Sequence, residues 1–218
     1  MDFAKARMNM VEQQVRPWDV LDMRVLGVME TLPRERFMPE PYQALAYADT
    51  EIPLGHGEET LPPRVIGRML QAVAARPTDT VLEIGTGSGY ATACLARMGA
   101  HVDSVERHDD LRLAARNRLH DLNITNAAPR TGTVTPEWRP PRERYDVIAV
   151  NGAMTEYNDF LEQFLALGGR LFVVTGEPPI MEALLVTRTT EDNTLHEQLF
   201  ETRVPPLAGF EPQPAFEF

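Results

Sequence analysis

Val81-Leu82-Glu83-Ile84-Gly85-Thr86-Gly87-Ser88-Gly89 is the stretch whose reading decides the fold. Its first four residues, with Thr80 before them, have the apolar and β-branched character of a strand buried on both faces. Three glycines then alternate with Thr86 and Ser88, a spacing that permits a tight turn and lets a ligand come close to the backbone. A helix is predicted over residues 88–98, and its N-terminus offers free N–H groups and a positive dipole end to an anionic group.

Working outward, the same alternation of strand and helix continues. Before the motif, Val65, Ile66, Met69, Leu70 and Val73 form a helical stripe. After it come predicted strands at His101–Glu106, near residues 128–131, at 146–150 and at 170–174. Between them lie a helix capped by Asp109 or Asp110, with the stripe Leu111, Ala115, Leu119 and Leu122, and a second helix over 160–167. Buried strands alternating with helices imply an α/β, Rossmann-like, mostly parallel doubly wound sheet. Residues 183–189 and 194–201 flank Thr190-Glu191-Asp192-Asn193 and read as a C-terminal antiparallel hairpin. The tail from Pro205 is Pro-rich but carries Phe210, Phe216 and Phe218, so it is expected to pack.

The first 62 residues read differently, as an N-terminal helical and lid extension to residues 63–218, the two making one compact unit. Residues 3–14 suit a helix, and Asp22 caps a second whose stripe is Val25, Leu26, Val28, Met29 and Leu32 before Pro33 stops it. Pro39, Pro41, Pro53, Pro62 and Pro63 then punctuate an irregular segment holding Gly55-His56-Gly57. Tyr42, Leu45, Tyr47 and Ile52 give that segment apolar anchors, which points to an ordered lid rather than a loose loop.

Composition excludes several functions. With 21 basic and 32 acidic residues among 218, the formal net charge is −11, which argues against a nucleic-acid partner. The locally basic stretch 107–144, with eight Arg against five Asp and Glu, reads as a solvated face. Cys94 is the one cysteine and the five histidines form no HExxH pair, so no metal site is expected. No apolar run approaches the roughly 18 residues of a membrane span, and no apolar leader opens the chain; a cytoplasmic location is expected.

Three ligands use a strand, glycine turn and helix. A phosphate-binding P-loop requires a Gly-Lys-Ser/Thr ending, and Lys5 is the one lysine in the chain. A dinucleotide fingerprint requires glycine where Tyr90 stands. The remaining pattern, Glu83-x-Gly85-x-Gly87-x-Gly89, is the signature associated with S-adenosyl-L-methionine, whose demethylated product is S-adenosyl-L-homocysteine. An acid ending the second strand should then hold ribose hydroxyls, and Glu106 stands there. Glu83, Gly85, Thr86, Gly87, Ser88, Gly89, Glu106 and Arg107 are the candidate cofactor residues. Asn151 follows the strand at 146–150 without the Pro-Pro-aromatic sequence of amino-group base methylases, so base methylation is set aside.

The chain resembles the protein-L-isoaspartate O-methyltransferase family over nearly its whole length. The likeness runs through Met10-Val11-Glu12-Gln13-Gln14, Pro33-Arg34-Glu35-Arg36-Phe37-Met38-Pro39, Tyr47-Ala48-Asp49 and Ile52-Pro53-Leu54-Gly55-His56-Gly57. It continues through residues 81–90, Ser104-Val105-Glu106-Arg107, residues 145–150 and Leu167-Gly168-Gly169-Arg170-Leu171. The resemblance implies a class I methyltransferase that esterifies the free α-carboxylate of isoaspartyl peptides or proteins, the first step of protein repair. It makes Asp49, His56 and Asn151 candidate substrate or lid residues.

Two departures stand out. The family usually has Thr-Ile-Ser-x-Pro after the lid, and its serine position is Leu61 here, with Thr60 able to supply a hydroxyl if the loop register shifts. One lost hydrogen bond is worth about 1–3 kcal/mol, or roughly 5–150-fold in rate. The family's Gly-Asp-Gly, whose Asp reaches the adenine amino group, is Gly132-Thr133-Val134 here, which makes Thr133 the candidate adenine contact. Three readings therefore stand: isoaspartyl O-methylation; methylation of another carboxylate or a small molecule because of Leu61; and cofactor binding with little transfer.

Overall fold

The structure, a computed structural model, describes residues 2–207 and 209–210. Helix α1 (Phe3–Met10) is capped by Asp2 and runs on through a π turn at Val11–Val15 and a 3₁₀ turn at Arg16–Trp18. Asp22 caps α2 (Met23–Thr31), its carboxylate accepting the Arg24 N–H at 2.8 Å. Two 3₁₀ turns follow, Arg34–Phe37 and Glu40–Leu45, and then a small lid hairpin of β1 (Pro53–Gly55) and β2 (Glu58–Glu59). The regular part comprises α3 (Pro63–Val73), β3 (Thr80–Ile84), α4 (Tyr90–Met98), β4 (His101–Glu106), α5 (Asp109–Asp121) and β5 (Ala127–Thr131). It closes with β6 (Tyr145–Met154), β7 (Leu165–Glu177), β8 (Ile180–Arg188) and β9 (Thr194–Glu201).

The seven-stranded sheet has the order β5-β4-β3-β6-β7-β8-β9. Strands β5, β4, β3, β6 and β7 pair in parallel, and β8 runs against both its neighbours. From β3 the chain moves out to β4 and β5, then returns across β3 to lay down β6 on its other side. The loops leaving β3 and β6 therefore diverge, and a cleft opens between them at the carboxyl ends of the strands.

Successive residues of the central strands serve opposite faces. Val81, Val147 and Ala149 join the core shared with α1 to α4, whereas Leu82, Ile148 and Val150 join the second core. Helix α4 is buried almost all round because Ala91, Ala93, Cys94 and Ala96 are small enough to let it lie close to the sheet. The first core also takes Met10, Val15, Met29, Phe37 and Ile52, so residues 2–62 share the hydrophobic interior of the sheet. Among the described residues no helix is long and apolar enough to cross a membrane.

Several boundaries differ from the sequence reading. The helix expected over 160–167 is a 3₁₀ turn, Asp159–Phe164, opened by the Asn158 side chain accepting the Phe160 N–H. Leu165 already pairs with Tyr145, and the ladder resumes at Arg170 after Gly168-Gly169 loops out, so β7 begins five residues early. Helix α4 starts at Tyr90 rather than Ser88, because Gly89 takes a left-handed cap with φ of 87°. The residue before α5 is His108, with Asp109 and Asp110 in its first turn. In the tail, Leu207 donates to the Ala153 carbonyl at 2.7 Å and Phe210 stacks on Phe160. Phe216 and Phe218 lie outside the described residues.

Candidate cofactor and acceptor site

Two adjoining pockets occupy the cleft, sharing Glu58, Glu59, Gly85, Glu106 and Asn151. The first extends to Gly132, Thr133 and Val134 at one end and to Pro205-Pro206-Leu207 of the tail. The second extends under the lid to Arg34, Leu54, Thr60, Leu61 and Tyr90. An elongated molecule lying through both would touch Thr133 at one end, Glu106 in the middle and the lid residues at the other.

Each wall has a local cause. Gly85, Gly87 and Gly89 all take positive φ, of 89°, 51° and 87°, as the turn between β3 and α4 demands. A Cβ on Gly87 would meet only Leu54 Cδ1 of the lid, at 3.2 Å, whereas one on Gly89 would meet Ala115 Cβ of α5 at 3.0 Å. Gly87 thus keeps the cleft open and Gly89 lets two helices approach. Glu106 is only 5% exposed, and its two carboxylate oxygens accept the N–H groups of Gly87 (2.8 Å) and His108 (3.0 Å). The geometry fixes the carboxylate at the cleft with lone pairs left for a diol.

Glu83 was expected at the cofactor and stands elsewhere. It is fully buried behind the glycine turn, accepting from Ser104 Oγ at 2.6 Å, from Asn151 Nδ2 at 2.9 Å and from Thr92. Ser104 is linked in turn to Thr86 at 2.5 Å, so Glu83 supports the turn rather than lining the cleft. Asn151 is thereby oriented, its amide also donating to the Gly85 carbonyl at 2.9 Å, and its Oδ1 is left buried without a partner on the wall of both pockets. That orphaned acceptor suits a donor on a bound molecule, such as an ammonium group.

Burial pushes the Glu83 carboxyl up to about 7, against the three donors that pull it down. The folded state therefore holds a proton that the unfolded chain releases near 4.5, and this contribution is lost as pH rises from there through about 7. The full difference approaches about 3 kcal/mol. Urea midpoints should fall between pH 5 and pH 8, and Glu83→Gln should flatten that fall. An identical slope in the variant would contradict this origin.

The lid is pinned over the cleft. Arg107 pairs with Glu58 at 2.7 Å, and Arg107 lines the first pocket as expected of a cleft residue. His56 takes a left-handed φ of 56°, points Nε2 at the Asp110 carboxylate (2.9 Å) and stacks on His108 with ring centroids 4.1 Å apart. It tethers the lid to α5 and does not line either pocket. Asp49 is engaged by Arg64 and also lies off both pockets. Thr60 and Leu61 both line the second pocket and are each 6% exposed. The Thr60 hydroxyl accepts the Ile52 N–H at 3.0 Å and an Arg34 N–H at 3.4 Å. Ser88 and Thr86 line the second pocket as well.

Sequence reasoning missed the buried Arg34, the carboxylates of Glu58 and Glu59, and the tail residues 205–207. Arg34 stands among other charged residues, Glu35 and Arg36, and nothing in that spacing signals its burial. The tail reaches the cleft through the bridge from Pro206 to Ala153, which no spacing announces. Among the described residues no group of His, Cys, Asp and Glu could hold a metal ion.

Comparison with known proteins agrees with this geometry. The sequence profile described as Protein-L-isoaspartate(D-aspartate) O-methyltransferase matches residues 5–211. Protein-L-isoaspartate O-methyltransferase 1 of Rhodopseudomonas palustris (strain HaA2) is 39% identical over 96% of this chain and 85% of its own. The Koribacter versatilis enzyme of the same name is 37% identical over 95% of this chain and 92% of its own. A Plasmodium falciparum structure described as this methyltransferase in complex with S-adenosyl-L-homocysteine superposes with a TM-score of 0.79 at 20% identity, covering 92% of this chain and 97% of that one. At that identity the structure speaks for the Rossmann-like fold, while the profile and the bacterial relatives speak for kinship. The chain belongs to the protein-L-isoaspartate(D-aspartate) O-methyltransferase family.

Proposed function

We propose that this chain is an S-adenosyl-L-methionine-dependent methyltransferase that esterifies the α-carboxylate of isoaspartyl residues in peptides and proteins. The observation that carries the reading is the pair of joined pockets, one ending at Thr133 and one under the lid at Thr60 and Leu61, in a chain matched along its length by that family. The cleft fits the cofactor: Gly87 leaves room where a side chain would intrude, Glu106 faces the ribose position, and the unpartnered Asn151 Oδ1 offers an acceptor.

When bound, the cofactor supplies a methyl group on a sulfonium. An acceptor carboxylate oxygen forms the new O–CH₃ bond as the C–S bond breaks, and the electron pair returns to sulfur. The products are a methyl ester and S-adenosyl-L-homocysteine. A carboxylate with a reference pKa of about 4 is already ionised at neutral pH, so no protein base is needed. The residues have to align the acceptor and exclude water. The lid contacts Arg107–Glu58 and His56–Asp110 cover the cleft, and Thr60 presents the hydroxyl that Leu61 lacks. We place this activity in the cytoplasm.

The test is transfer of labelled methyl to matched isoaspartyl and aspartyl peptides. A base-labile ester on the isoaspartyl peptide alone is expected. Cofactor binding without ester on either peptide would move the reading to another carboxylate or a small molecule, which the aliphatic Leu61 wall would favour.

A further inference from the structure

Among the described residues lining the second pocket, Arg34 is the one cation, facing Glu58, Glu59 and Glu106. Glu58 is paired with Arg107 and Glu106 is held by two backbone N–H groups, while Glu59 is exposed. The pocket wall is therefore negative apart from Arg34, an unfavourable setting for an anionic acceptor.

Arg34 itself is 0% exposed. Its partners are neutral: the Ala46 carbonyl, the Leu61 carbonyl at 3.1 Å and the Thr60 hydroxyl at 3.4 Å, with its guanidinium 5.5 Å from the Tyr90 ring centre. Its Nε has no partner. The carboxylate that acts on it through space, Asp49, is hydrogen-bonded to Arg64 instead, so Arg34 is buried without a direct ion pair, which is unfavourable. Merely holding the Ala46 and Leu61 carbonyls in place does not require a permanent charge.

Resting on the acceptor reading above, we propose that Arg34 is the specificity-determining charge of the acceptor pocket: it makes the pocket select a carboxylate over a neutral group of the same shape. It acts from behind the wall. The Thr60 Oγ accepts from Arg34 and from Ile52, which leaves its own proton to donate, and the adjacent cation makes that proton a stronger donor. The charge also acts directly through a low-dielectric wall, where it is poorly screened.

This role predicts an unusual kinetic signature. The carboxylate loses charge as it accepts the methyl group, so a fixed cation favours the bound substrate more than the transition state. Arg34→Met should raise KM for an isoaspartyl peptide at least about tenfold, with kcat unchanged or higher. A structural role, in which Thr60 and Leu61 simply drift, would lower kcat.

The closing experiment measures binding of two peptides to the enzyme complexed with S-adenosyl-L-homocysteine: an isoaspartyl peptide and its isoasparaginyl analogue, in which the α-carboxylate is a carboxamide. Wild type should prefer the carboxylate at least about tenfold, Arg34→Met should bind both about equally, and Arg34→Lys should keep the preference within about threefold of wild type. A wild-type ratio near one overturns the inference before any variant is made. So does an unchanged ratio in Arg34→Met, equal weakening of both peptides with lowered kcat, or a ratio lost in Arg34→Lys. Should Arg34→Met fail to show a cooperative melt, the Lys variant decides the matter alone. A wild-type enzyme that methylates the isoaspartyl peptide but shows no preference sinks this inference and spares the acceptor reading. One that neither methylates nor binds the peptide sinks both.

Discussion

Gly87→Asp should abolish cofactor binding, weakening it by at least about 100-fold, while leaving the fold intact. The new Cβ would meet only Leu54 Cδ1, at 3.2 Å, so the flexible Leu54 side chain has to give by a few tenths of an ångström, and Asp tolerates the left-handed φ of 51° better than most residues. Its charge, however, would sit beside the Glu106 carboxylate that accepts the Gly87 N–H. Two carboxylates about 5 Å apart at an effective dielectric near 20 repel by about 3 kcal/mol, which lowers the melting temperature of the variant, while affinity is lost because the new side chain occupies the ligand's approach. Calorimetry with S-adenosyl-L-homocysteine, alongside a thermal melt, measures both halves. Gly89→Val should do the reverse, because its added atoms strike Ala115 on α5: stability falls before affinity does. Undiminished affinity in Gly87→Asp would remove the cofactor from this turn.

Leu61→Ser should raise isoaspartyl methylation by about tenfold and lower the melting temperature. The gain comes from adding a second hydroxyl beside that of Thr60 on the pocket wall, worth about 1–3 kcal/mol if it reaches the acceptor. The loss comes from the core: Leu61 is 6% exposed and packs in the first cluster, so removing its branch leaves a cavity worth about 2–3 kcal/mol. In a chain of this length that corresponds to a fall of roughly 5–10 °C. The two effects move in opposite directions and are read by different instruments, initial ester-forming rates and a melt. A rate that stays level or drops would show that the Thr60 hydroxyl alone suffices and that position 61 does not reach the acceptor.

The central strands were legible because burial on both faces favours an apolar run, unbroken from Val147 to Val150 in β6 and interrupted only by Glu83 between Val81 and Ile84 in β3. The glycine turn was legible because positive φ at Gly85, Gly87 and Gly89 leaves few alternatives. Residues 160–167 misled for a physical reason. Phe160, Leu161 and Phe164 make a helical spacing, but Leu165 is claimed by the β6 ladder, and a short apolar run does not announce that competition. Glu83 and Glu106 look alike in the sequence, each an acid in a strand. The fold separates them: Glu83 shares the face of Val81 and points at Thr92 of α4, whereas Glu106 ends its strand and turns into the cleft. Arg34 was quoted only as part of a motif, since charge ordinarily signals exposure.

The cleft exists because the chain leaves β3 on one side and comes back for β6 on the other. It is a consequence of strand order, and no side chain has to hold it open. Substitutions on its rim can therefore reshape the pockets without changing the strand order that makes them, whatever they cost in stability. The fold superposes on a Plasmodium falciparum structure at a TM-score of 0.79 although only 20% of the residues are identical, so the strand order tolerates wide change in sequence. The frame that makes the cleft and the surfaces that line it are thus set by different parts of the sequence: the first by the order of the strands, the second by the lid and the β5–β6 connection.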